Sequence, residues 1–179
     1  GRREEAVAEK IAQSEARQNN ADLEGAIIAL EEALELDPSR DQLCVHMARL
    51  AARVGRESDS LERVCRQVQR LLSIQAHGPA AQTLEELERA YPKNPQLMVL
   101  RANLEDARGN AAQALDLRLH CIDLHHQRRH YDQALEVLES TLKGKPENVA
   151  LLSRKANLLR EKGELEQALE VYGLIIELF

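Results

Sequence analysis

Five side chains able to bind a metal crowd one stretch: His120, Cys121, His125, His126 and His130. Cys121–His125 and His126–His130 each lie four residues apart, which puts two ligands on one face of a helix, as a zinc site requires. The two pairs point to different sides of that helix, however, and no carboxylate completes either set. Histidines near a helix C-terminus also favour the helix dipole without any metal. No metal site is therefore expected. Catalytic patterns are missing as well: there is no nucleophile elbow, no Walker loop, no G-x-G-x-x-G after a strand and no H-E-x-x-H. Adjacent carboxylates such as Glu31–Glu32 and Glu85–Glu86 sit on helical runs, where they read as solvated charge. The expectation is a chain with no catalytic residues and no cofactor.

The net charge of −6 argues against a dedicated nucleic-acid binder, which carries a basic face and often aromatic stacking platforms. Charge is unevenly spread. Residues 21–37 hold Asp22, Glu24, Glu31, Glu32, Glu35 and Asp37 with no Lys or Arg, whereas Arg49, Arg53, Arg56, Arg63, Arg66 and Arg70 crowd residues 49–70. Arg63, Arg66 and Arg70 share one helix face, readable as a site for an acidic partner or as a solvated surface. Three cysteines with no C-x-x-C spacing, Cys44, Cys65 and Cys121, argue against a disulfide framework and favour a reducing, cytoplasmic setting. No apolar run reaches the ~20 residues needed to span a bilayer, so membrane insertion is not expected.

What must position these residues is a repeat. Pro38, Pro92 and Pro146 recur every 54 residues, as do Gly1, Gly55, Gly109 and Gly163. Ala26, Ala80 and Ala134 precede the prolines at a fixed offset, with Leu30, Leu84 and Leu138 one helical turn later. Each full unit reads as three helices. In the unit at 93–146 they run from about Pro95 to Arg108, from Ala111 to His126 and from Tyr131 to Lys143, with Gly109 ending the first. The chain then comprises a partial unit (1–38), two whole units (39–92 and 93–146) and a second partial unit (147–179). That makes about ten helices in all, and short connections set neighbours antiparallel. No strand signal occurs. The opening without Met and the incomplete last unit read as a piece of a longer protein.

Residues 148–179 resemble a tetratricopeptide repeat. Leu152, Ala156, Leu159, Gly163, Ala168 and Tyr172 take that pattern's large, small, large, turn, small and aromatic places. Residues 95–124 are similar through Met98, Ala102, Gly109 and Ala114, and the segments 26–38, 80–92 and 134–146 resemble the second helix of such a repeat. The resemblance implies an all-α fold, an αα-superhelix or tetratricopeptide-like solenoid, acting as a protein-interaction scaffold with a protein or peptide as partner. The departure is in length, since family repeats hold two helices in about 34 residues and this period inserts a third. Either the two layers of the solenoid alternate, so that equivalent residues face opposite ways, or each unit is a three-helix stack.

By the same resemblance, peptide-binding positions fall on Arg49, Asn103 and Asn157, which follow the small residues Ala48, Ala102 and Ala156, with Arg101 and Lys155 nearby. A side-chain amide there can donate to a peptide carbonyl and accept from a peptide N–H; local hydrogen bonding is the alternative. Val99 and Ser153 stand where the family's clamp has Lys, so the full clamp is not formed. Sparse aromatics imply modest, salt-sensitive binding. The apolar end, Leu174, Ile175, Ile176, Leu178 and Phe179, is expected to meet a continuation of the array or a second copy, because a solenoid must cap its open end. A rival function is a recruitment or spacer segment of a larger glycosyltransferase-like enzyme or of a polysaccharide-export assembly.

Overall fold

The computed structural model describes residues 1–38, 40–55 and 58–178. Ten helices follow in order: α1 (Arg2–Asn19), α2 (Leu23–Leu36), α3 (Asp41–Val54), α4 (Ser58–Ser73), α5 (His77–Ala90), α6 (Pro95–Ala107), α7 (Ala111–Gln127), α8 (Tyr131–Leu142), α9 (Val149–Lys162) and α10 (Leu165–Glu177). Among the described residues there is no strand. The fold is all-α, and the three helices expected for the unit at 93–146 lie within a residue or so of their predicted bounds.

The period is built into the core. Ala26, Ala80 and Ala134 are all 0 % exposed, as are Leu30, Leu84 and Leu138, and Ala48, Ala102 and Ala156. Alanine at these places lets two helix backbones approach, and a leucine one turn away fills the space beside them. Replacing a small residue would force the helices apart, so bulk at these positions sets the stacking distance.

The period also governs the turns. Gly109 and Gly163 close α6 and α9 with φ of 84° and 95°, conformations that L side chains rarely adopt. There the N–H after each glycine reaches back a full turn and more: Asn110 N to Glu105 O at 2.8 Å, and Glu164 N to Leu159 O at 2.9 Å. Three left-handed residues that are not glycine do the same work after α1, α4 and α7. Ala21, Gln75 and Arg129, with φ of 61°, 58° and 58°, stand 54 residues apart. The N–H that follows each bonds back in the same way: Asp22 to Arg17 O, Ala76 to Leu71 O and His130 to His125 O, all at 2.8–2.9 Å.

The chain divides into two compact units, Gly1–Leu100 and Arg101–Phe179, with the division inside α6. In the first unit α1 packs on α2, α2 on α3, and α3 touches both α4 and α5. The buried Tyr91 hydroxyl donates to Ala48 O at 2.5 Å and pins the end of α5 to the middle of α3. In the second unit α7, α8, α9 and α10 pack each on the next. Their shared core includes Ile122, Leu138, Leu151, Leu159, Ala168 and Val171. Glu105, 4 % exposed, is satisfied by Asn110 Nδ2 at 2.7 Å and Arg108 Nη1 at 3.2 Å, which ties the α6–α7 turn together.

Candidate functional site

The first unit contains a groove of about 670 Å³. Gln18 comes from the end of α1; His46, Arg49, Leu50, Ala52 and Arg53 from α3; Glu86, Arg89 and Ala90 from α5. Among the described residues, α2 and α4 contribute nothing to it. By the 54-residue period α2 and α5 are equivalent, yet only α5 lines the groove. Within this unit, then, matching places of the period have different surroundings at the groove.

The groove's charge is basic on balance. Arg49, Arg53 and Arg89 stand against Glu86, which pairs with Arg49 (Nη1 to Oε2, 3.7 Å) across the α3–α5 contact. His46 Nε2 lies 3.2 Å from Gln18 Oε1. Because an amide oxygen only accepts, the imidazole presents an N–H to it. Burial pushes the His46 pKa below its ordinary 6.5, and the nearby Arg49 guanidinium pushes the same way against a smaller pull from Glu15. Leu50, Ala52 and Ala90 supply apolar floor between the charges. A smaller hollow of about 340 Å³ opens between α3, α4 and α5, lined by Gln42, Gln67, Gln82 and Thr83 among others.

Of the binding positions expected from the sequence, Arg49 lies in the groove. Arg101, Asn103, Lys155 and Asn157 belong to the second unit. Asn103 Oδ1 accepts from Arg118 Nη2 at 2.9 Å, and Asn157 Oδ1 accepts from the Tyr172 hydroxyl at 3.2 Å. Lys155 Nζ meets Glu139 Oε1 at 2.8 Å on α8. Gln18, His46 and Arg89 carry no mark in the sequence pattern, since they take unrelated places in the period, and Glu86 reads there only as solvated charge. The one local sign of the groove is spacing: Arg49–Arg53 at i,i+4 and Glu86–Arg89 at i,i+3 each put two charges on one helix face. The Arg63, Arg66, Arg70 row lies on the exposed side of α4.

The histidine stretch separates rather than converging. His126 Nε2 bonds Glu161 Oε2 on α9 at 2.7 Å, a contact that holds the Glu161 carboxyl below the usual range. His125 faces His130 with ring centroids 6.2 Å apart. Among the described residues no three His, Cys, Asp or Glu side chains are placed to hold one metal ion. Cys121 is buried in the α7 core, and burial pushes its thiol to about 11. Cys65 is raised to about 11 by burial and by Glu62.

At the end of the chain, Leu174, Ile176 and Leu178 are exposed, whereas Ile175 packs on the second unit's core. Phe179 lies outside the described residues. No helix among the described residues is long and apolar enough to cross a membrane.

Residues 125–178, which span α8, α9 and α10, match a family model described as a tetratricopeptide repeat. No curated protein matches the chain. Among solved structures the chain is similar to the MamA protein, at 14% identity over 97% of this chain and 92% of that one, with a TM-score of 0.31. A tetratricopeptide repeat protein from Parabacteroides merdae is 16% identical over 97% of this chain and 80% of that one, with a TM-score of 0.33. A thermophilic protein of the same repeat class from Thermus thermophilus is 16% identical over 86% of this chain and 98% of that one, with a TM-score of 0.31.

Proposed function

We propose that this tetratricopeptide-repeat chain is a protein-interaction scaffold whose α1/α3/α5 groove takes an acidic, extended segment of a partner protein. The observation that carries this reading is the convergence of Arg49, Arg53 and Arg89 on one apolar-floored groove, where Glu86 is the sole carboxylate among the described lining residues. Guanidinium groups bind carboxylates bidentately, and the helices that present them need no ordering when the partner arrives. Arg49 exchanges its bond to Glu86 for one to the ligand, while Arg53 and Arg89 meet the ligand directly. In the second unit, Arg101, Asn103, Lys155 and Asn157 would be partner-facing positions of their own by the family resemblance, the asparagine amides donating to a peptide carbonyl. The exposed end at Leu174 and Leu178 would meet a continuation of the array or a second copy. Three cysteines kept as thiols suit a reducing compartment.

A fluorescently labelled peptide rich in Asp and Glu, titrated with the chain at low and at high salt, tests the groove. Binding should weaken as salt rises, and Arg53→Ala with Arg89→Ala should weaken it roughly tenfold at low salt. Arg49→Ala, Asn103→Ala and Asn157→Ala test the remaining positions. Equal affinity for a basic peptide of the same length, or no response to losing Arg53 and Arg89, would overturn the reading.

A further inference from the structure

The smaller hollow, of about 340 Å³, is lined from the first unit and shares only Glu86 with the groove. Its polar lining is nearly all uncharged. Gln42 comes from α3, Gln67 from α4, and Gln82 and Thr83 from α5, with Glu86 as the one charge among the described lining residues. Val45, Leu71 and Pro79 supply the apolar part of the wall. Each helix presents one face, since Gln42 lies three residues before Val45, Gln67 four before Leu71 and Gln82 four before Glu86. The volume falls at the small end of ligand sites, which span about 300–1,000 Å³, and suits a side chain rather than a large cofactor.

Gln67 points to what the hollow takes. Its Oε1 is buried and accepts no hydrogen bond. A buried acceptor left in that state costs stability, which a donor entering beside it restores. Hydrogen-bonding capacity then selects the entering group. The glutamine amides and the threonine hydroxyl offer both donors and acceptors, and an ionised Glu86 offers acceptors alone. A carboxylate ligand has no N–H for Gln67 and would face Glu86 charge to charge. An ammonium has no acceptor for the amide N–H groups, and α4 carries the exposed Arg63, Arg66 and Arg70 around Gln67. A carboxamide holds donor and acceptor together in one small, planar, uncharged group.

We infer that the α3/α4/α5 hollow is a binding site for the carboxamide side chain of a glutamine from a partner protein. The Gln67 amide turns its Oε1 toward the entering NH2, Glu86 accepts the second N–H, and Gln42, Gln82 or Thr83 donates to the carbonyl. The two methylenes of the glutamine lie against Val45, Leu71 and Pro79, where the shorter asparagine makes less contact. The inference stands without the acidic-segment reading, since it uses none of the groove's arginines.

The probe is glutamine capped at both ends, with capped glutamate and capped lysine beside it. Each is titrated into the chain while nuclear magnetic resonance follows the side-chain amide signals of Gln42, Gln67 and Gln82. Capped glutamine should shift them saturably and bind about fivefold more tightly than either charged probe, the worth of one hydrogen bond. Unlike binding of the acidic peptide, this binding should not change between low and high salt. Gln67→Met should weaken it by a similar factor without lowering the urea midpoint, because the variant also removes an unpaired buried acceptor. The same variant should bind the acidic peptide as before, which tells failure of this site from failure of the groove. Absence of a saturable shift, equal binding of the three probes, or undiminished binding by Gln67→Met overturns the inference. So does tighter binding of free glutamine than of the capped form, since the occupant would then be a small metabolite.

Discussion

Asn157 accepts a hydrogen bond from Tyr172, and 54 residues earlier Asn103 accepts one from Arg118, so the same pair of positions bridges consecutive helices at both places. The contact is kept while the donor changes from a phenol to a guanidinium. In the first unit the corresponding pair is Arg49 and Val64, which cannot make it. Arg49 instead reaches Glu86 and the groove.

Arg118 does more than Tyr172, because its Nη2 also meets Asp106 Oδ2 at 2.6 Å. Arg118→Ala should therefore cost about 1–2 kcal/mol and Tyr172→Phe about 0.5–1 kcal/mol, the range of one exposed neutral hydrogen bond. Urea midpoints at a constant denaturant slope would measure both.

The left-handed turns give a reciprocal prediction. Gly163→Ala forces a Cβ into φ of 95° and should lower stability by roughly 1 kcal/mol. Gln75→Gly removes such a Cβ and should raise stability, by up to about 1 kcal/mol, because relief of strain outweighs the added freedom of the unfolded chain. Thermal melts of the two variants should shift in opposite directions.

Those turns also mark where the sequence was legible and where it was not. Gly109 and Gly163 announced the ends of α6 and α9 by residue type, whereas Ala21, Gln75 and Arg129 adopt the same backbone with no glycine to signal it. The repeated Ala and Leu positions were legible because burial constrains their bulk. The groove was not, because Gln18, Arg53 and Arg89 meet only through the stacking of α1, α3 and α5 and hold no common place in the period.

Acidic-peptide binding should strengthen as pH falls. In the free groove the His46 pKa lies below its ordinary 6.5 through burial and Arg49, with Glu15 opposing them; Arg53, Arg89 and Glu86 also line the site. A bound carboxylate raises the pKa of His46, so the complex takes up a proton, and affinity should rise a few-fold as pH drops through that window. The gain ends near pH ~4, where peptide carboxylates protonate. In the unliganded chain the sign is the reverse for stability, since the unfolded imidazole binds the proton first. His46→Gln should flatten the pH dependence of binding.

Thiol chemistry offers an independent check on packing. With Cys65 and Cys121 held near 11, little thiolate is present at neutral pH, and both should react with iodoacetamide far more slowly than cysteine in unfolded peptides. Mass spectrometry of the alkylated chain, with and without denaturant, would show it.

An odd number of helices per unit has a consequence for any change in array length. Splicing out or duplicating one 54-residue unit would preserve every core register. Within Gly1–Leu100 it would nevertheless change what stands at the groove, because α2 holds the place of α5 in the period and lines none of it.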